Sequence, residues 1–280
     1  MERARLSLNQ YTVRPWPLAR AIDACVRLEI PAIAIWRDKL AELGIARARS
    51  ALRAAGLRVS SICRGGFFPA ATSAERADRI DDTRRALDEA AQLGAPALVL
   101  VCGPPPPGVG LADARAMVEA GVAALVPEAQ ALGVRLAIEP LHPMMIAERS
   151  VITTLEEAND IAERIASPAV AVIADVYHIF WDPQVAREIA RAGTRIAGFH
   201  LSDWTTPAGD VTADRAMLGE GIIDLAGLAA AVADAGYRGD IEIEVLNARA
   251  WASADLDAWL ATAVARYDAI AGPPLTAPRR

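Results

Sequence analysis

Two segments of the chain end an apolar run in a carboxylate and place a histidine three residues later: LAIEPLH (136–142), with Glu139 and His142, and VIADVYH (172–178), with Asp175 and His178. The third and last histidine, His200, closes another apolar run, RIAGFH (195–200). A fourth run, DIEIEV (240–245), carries Glu242 and Glu244. With the period-two alternation of a strand, Ala137 shares a face with Glu139, Ile173 with Asp175, Gly198 with His200 and Glu242 with Glu244. Three carboxylates and one imidazole gathered at strand ends repel one another unless a cation sits among them. Three oxygen donors and one nitrogen suit Mn²⁺, Mg²⁺ or Co²⁺ better than a thiolate-rich zinc site. The expected ligands are therefore Glu139, Asp175, His200 and Glu244. Glu244 is preferred to Glu242 because it stands nearer the strand's carboxyl end, and Glu242, deeper, needs Arg135 or another partner to be tolerated.

Such a site requires four consecutive strands to bring their ends together. Short β-type runs alternate with long Ala/Leu/Arg/Glu helical segments, the pattern of βα units around a parallel sheet. Eight strands are expected, at 5–9, 32–36, 58–63, 97–102, 134–139, 170–175, 195–200 and 240–245. Helices between them close at Gly56, Gly94, Gly133, Gly193 and Gly236, where glycine takes the left-handed conformation cheaply. Thr154 with Glu157 reads as a capping box and Asp224 as an N-cap. Eight regular units without a linker favour a (β/α)8 TIM barrel over a doubly wound sheet, as a single domain over residues 1–280. No G-x-G-x-x-G follows the first strand, so the main dinucleotide signal is missing. CGPPPPG (102–108) reads as a stiff loop beyond strand four, with no chemistry assigned.

Composition narrows the function. The hydrophobic fraction is 53% and mean hydropathy +0.22, yet no apolar run approaches the roughly 18–20 residues of a membrane span. The opening MERARLSLNQ moves directly into a strand pattern without a signal-like segment, so a soluble, cytoplasmic protein is expected. Cys25, Cys63 and Cys102 are too widely spaced for a CxxC site and read as buried thiols. A net charge of −6 argues against nucleic acid as a partner. The one lysine, Lys39, lies in the polar opening of a helix, which disfavours Schiff-base chemistry. Trp16, Trp36, Trp181 and Trp204 follow strand ends and offer flat faces to sugar C–H surfaces. Arg64, ending strand three, could bind an anion or a hydroxyl. LGEGIID (218–224) reads as a turn and helix start, with Glu220 a supporting candidate.

LAIEPLHP, ADVYHIFWDP, GFHLSDW, DRAMLGEGIID and GYRGDIEIEV resemble the xylose-isomerase-like barrel superfamily of sugar epimerases, sugar-phosphate isomerases and inosose dehydratases. The resemblance spans essentially the whole chain. It implies one divalent ion held by Glu139, Asp175, His200 and Glu244, with Glu139 and Glu244 also the acid/base pair. It further implies that His178 and Arg215 hold oxygens of a small sugar or keto-sugar, and it leaves room for a homo-oligomer or accessory subunit. Where the ketose 3-epimerases follow the first glutamate with an asparagine-arginine pair and a second glutamate, this chain reads PLHPMMIAERS. That exchange puts His142 beside the site. Epimerisation through an enediolate is the first expectation. A lyase that starts the same way, a dehydratase or a deglycosidase of 3-keto glycosides with His142 protonating the leaving group, is the alternative. A DNA-repair endonuclease and a non-catalytic sugar-binding barrel are the more distant ones.

Overall fold

The computed structural model describes residues 2–271, so the first residue and the last nine of the expected domain lie outside it. Eight parallel strands close a barrel in sequence order: β1 Leu6–Asn9, β2 Ala32–Trp36, β3 Arg58–Gly66, β4 Ala97–Val101, β5 Arg135–Glu139, β6 Val170–Asp175, β7 Ile196–Leu201 and β8 Ile241–Ile243. Strands β2, β4, β5, β6 and β7 carry runs of buried apolar residues, as strands covered on their outer face by helices must, while β1, β3 and β8 bury polar side chains among theirs. The helices face them with apolar stripes. In Leu155–Ile165, Leu155, Ala158, Ile161 and Ala162 are buried at helical spacing, and Thr154 and Glu157 form the capping box at its start. Asp224 accepts from the Gly227 N–H at the start of Leu225–Asp234. Gly56, Gly94 and Gly133 end their helices in the left-handed conformation.

Strand bounds differ from expectation at two places that matter. Strand β3 runs to Gly66, past the expected residue 63, and so carries Arg64 within the sheet. Strand β8 stops at Ile243, leaving Glu244 one residue beyond, though its N–H still donates to Leu201 O at 2.9 Å and continues the pairing with β7. Register brings the polar strand ends level: Asp175 lies opposite His200, and His200 opposite Glu242. A Cβ on Gly198 would meet Ile173 Cδ1 at 2.8 Å and His200 Nε2 at 3.1 Å, so the imidazole occupies the space that glycine leaves. None of the described helices is long and apolar enough to cross a membrane.

Candidate metal centre

Glu139 ends β5, Asp175 ends β6, His200 stands near the end of β7 and Glu244 follows β8. All four are buried, and one ligand atom from each lies within 4.8 Å of the others. His200 Nδ1 is 2.9 Å from Glu244 Oε2 and 3.4 Å from Glu139 Oε1. The other ring nitrogen, Nε2, is 3.4 Å from Glu242 Oε2 and has no closer hydrogen-bond partner. Arg215 closes the opposite side. Its Nη1 donates to Asp175 Oδ2 at 2.9 Å and to the Glu244 carbonyl at 3.2 Å, with Glu244 Oε2 at 3.4 Å, and its guanidinium lies over the Tyr177 ring.

The electrostatics show a centre short of positive charge. Burial, together with the negative charges of Glu244 and Asp175, pushes Glu139 up to about 7 although His200 opposes the shift. Burial would also raise Glu244, but Arg215 and His200 outweigh it and hold the carboxylate down at about 2. Burial disfavours a charged His200, yet Glu242, Glu139 and Glu244 raise it well above its ordinary value. The donor set, the short distances and this demand for a cation all fit a divalent ion taking one oxygen from each of Glu139, Asp175 and Glu244 and Nδ1 of His200.

Behind the ligands, Glu242 is buried without Arg135, which instead reaches the Thr194 carbonyl at 3.4 Å. Neutral donors take the guanidinium's place: Ser60 and Ser61 hydroxyls at 2.9 and 2.8 Å on Oε1, and Asn9 Nδ2 at 3.2 Å on Oε2. A carboxylate solvated this way can face a metal-bound imidazole and fix its ring.

A cavity of about 270 Å³ opens over the centre. Of the four convergent residues only Glu139 and Glu244 line it, joined by His178, Arg215, Trp36 and Arg64. Burial pulls His178 down to about 3, so it is neutral; its Nδ1 accepts from the His142 N–H at 3.1 Å, and its Nε2 lies 3.1 Å from Arg215 Nη2 and 3.6 Å from Asp175 Oδ2. Trp36 stacks on Tyr11, the ring centroids 3.5 Å apart, and donates Nε1–H to Asn9 Oδ1.

Five of the substrate-side and supporting candidates do not reach the cavity lining. Trp16 is packed into the core beneath the Leu18–Arg27 helix, with the Arg20 guanidinium over its ring, because the chain turns inward through Gln10–Val13 before that helix. Trp204 stacks with His142 and tilts against Tyr177 and Phe180. His142 is half-buried in the same aromatic group, its Nδ1 accepting from the Met144 N–H. Trp181 ties down the same stretch by donating to the His178 carbonyl, and Glu220 pairs with Arg266 at 2.8 Å. Strand-end position was a usable signal for Tyr11, two residues past β1, but nothing in the sequence marks Arg149 or Trp251, which also line the cavity. Asp203, equally unmarked, gathers the N–H groups of Trp204, Gly219, Gly221 and Ile223 and so shapes the long segment that carries Arg215.

Parallel closure with acidic and histidine side chains at the carboxyl ends of β5 to β8 defines the class, and the sequence agrees: the chain belongs to the xylose isomerase-like TIM barrel family, whose profile matches residues 19–263. A Sinorhizobium meliloti 1021 protein of known crystal structure is 46% identical, with a TM-score of 0.93 over 96% of this chain and 99% of that one. The IolI protein, crystallised with a bound zinc atom, superposes with a TM-score of 0.82 at 18% identity over 95% of this chain and 98% of its own. D-Psicose 3-epimerase in the presence of D-fructose gives 0.77 at 18% identity over 96% and 100%. At such identities the last two show a shared fold. No curated protein sequence matches.

Proposed function

We propose that the protein is a divalent-metal-dependent enzyme, with Mn²⁺ the preferred ion, that moves a proton on the carbon beside the carbonyl of a small sugar and thereby isomerises or epimerises it. One observation carries the reading: of the four convergent ligands, the two glutamates, on the first and last strands of the set, are the ones that face the cavity. When bound, the ion supplies Lewis acidity that makes the C–H beside a carbonyl more acidic. Glu139 faces the cavity and is placed to take a proton and return it. Glu244, kept ionised by Arg215, is its counterpart at the other end of the set. His178 and Arg215 line the cavity where a substrate oxygen would sit, and Trp36 and Tyr11 offer an apolar wall. The cavity is below the roughly 300–1,000 Å³ of drug-sized sites, which suits a monosaccharide. Epimerisation is favoured over elimination because the ring of His142, the acid a lyase would use, is stacked outside the lining.

The test is proton exchange. Incubated in D₂O with Mn²⁺, Mg²⁺ or Co²⁺ and a panel of ketohexoses, 3-keto glycosides and inososes, the enzyme is expected to incorporate deuterium at the carbon next to the carbonyl. Nuclear magnetic resonance reads both the exchange and any new epimer. No exchange on any substrate with any ion would sink the reading.

A further inference from the structure

We propose that the substrate is an anion, and that Arg64 and Arg149 bind its phosphate or carboxylate group at the β3 side of the cavity. The inference rests on the proposed activity for the word substrate, but the anion site stands on its own observations. Both arginines line the cavity and both are half-buried. Among the described residues neither meets a carboxylate, although nearby Arg37 is held by Asp82 and Glu89. Arg64 has only the Phe67 ring, 3.9 Å from its Cζ.

The backbone draws the two arginines into one corner. A Cβ on Gly103, which has a φ of +99°, would lie 2.7 Å from Phe67 Cα, so the segment after β4 packs directly on the residue beneath Arg64. Gly103 also donates its N–H to the Arg149 carbonyl at 2.9 Å and accepts from Val151 at 2.9 Å. The proline-rich loop thus clamps the Arg64 and Arg149 segments together. Two like charges on the lining of one cavity, near enough for Arg149 to act on Arg64, lack an anionic partner among the described residues, and planar guanidiniums suit the paired oxygens of phosphate or carboxylate. Charge at the metal centre does not supply one. Glu139, Asp175 and Glu244 carry three negative charges, which Arg215 and a divalent ion balance, while Glu242 is met by neutral donors. Arg14 adds a third cation at the β1 side, over the Tyr11 and Trp251 rings.

Titration of the Mn²⁺-loaded protein with inorganic phosphate and with malonate reads this corner without turnover. At least one anion is expected to bind, the Arg64→Gln/Arg149→Gln double variant to bind it at least tenfold more weakly, and Arg64→Lys, which keeps the charge, to lose less than Arg64→Gln. Equal binding by wild type and double variant, or no binding of either anion, overturns the proposal. The deuterium exchange assay then separates the sources. D-Fructose 6-phosphate exchanging best identifies phosphate, D-fructuronate exchanging best identifies carboxylate, and in either case the preference over D-fructose should fall at least tenfold in the double variant. A preference for neutral D-fructose over both overturns the proposal. Anion binding without exchange on any compound would reject the proposed activity and leave the anion site in place.

Discussion

The two halves of this barrel treat charge in opposite ways. Strands β5 to β8 gather Glu139, Asp175, His200, Glu242 and Glu244, and nearly every charge there is answered by another side chain: Arg215 on Asp175 and Glu244, His200 on the glutamates, serines and an asparagine on Glu242. On the β1 to β4 side, neutral groups are satisfied locally, as in Tyr11 donating to Asp38 and Trp36 donating to Asn9, while Arg64, and Arg149 brought to that side by the segment after β5, meet no carboxylate among the described residues. A preorganised charge network holds reacting groups where they are needed and reorganises little during reaction. Unanswered charges at a cavity wall are suited to a ligand that brings its own. On the proposed function, the first half serves the chemistry and the second the recognition.

The largest expected effect lies in the first half. Glu244→Gln keeps the shape of a ligand but removes its charge, and leaves Arg215 with one carboxylate fewer. Stoichiometric metal should be lost, and with it turnover, by a factor of at least about 10³, since the Lewis acid is worth several kcal/mol of transition-state stabilisation. Metal content by elemental analysis, alongside kcat, checks this. A Glu244→Gln enzyme with a full complement of ion and unchanged kcat would remove the glutamate from the centre and erase the contrast between the halves.

A smaller effect is expected one layer behind. Glu242→Gln preserves volume, but its amide would set a donor or a weaker acceptor against Asn9 Nδ2 and His200 Nε2. Groups that orient a ligating histidine typically contribute 10- to 100-fold in metal affinity. Mn²⁺ titration should show a loss in that range. The melting temperature without added metal serves as control: if it falls while Mn²⁺ affinity holds, Glu242 supports the barrel rather than the ligand.

The chemical half was legible in the sequence for a physical reason. A carboxylate or imidazole at the end of an apolar strand is costly to bury, so Glu139, Asp175, His200 and Glu244 stand out wherever parallel strands are expected. The barrel itself was legible from the alternation of strand and helix patterns and from the glycines that close the helices. Partners across the barrel were not, because β1 and β3 reach Glu242 only through closure, and no local pattern says that Asn9, Ser60 and Ser61 meet it. Arg64 could be noticed at a strand end. Arg149 could not, since it lies in an irregular segment whose place is set by a bridge to Gly103. Trp16 follows β1 in the sequence, yet its ring packs in the core and not on the cavity wall, a difference that only the three-dimensional path of the chain decides.

The smallest effect is expected at His142, which belongs to the chemical half by sequence and to neither half by position. Its ring centroid is 4.7 Å from that of Trp204 and 5.8 Å from that of Trp181, and its Nδ1 is engaged by the Met144 N–H. Burial lowers its pKa, so at neutral pH it is chiefly a neutral imidazole and a poor proton donor. A working general acid contributes roughly 10²–10⁴-fold. Stacking of this kind contributes about 0.5–1.5 kcal/mol. His142→Ala should therefore lower kcat/KM less than about tenfold on every substrate that is turned over, while lowering the melting temperature by a few degrees through lost packing. Steady-state kinetics on a free ketose and on a 3-keto glycoside, with Glu139→Gln as the inactive reference, decide the matter. A hundredfold loss confined to the glycoside, with an unsaturated product, would mean that the ring swings into the cavity and that the enzyme eliminates. The dividing line between chemistry and recognition would then have to be redrawn to include the segment after β5.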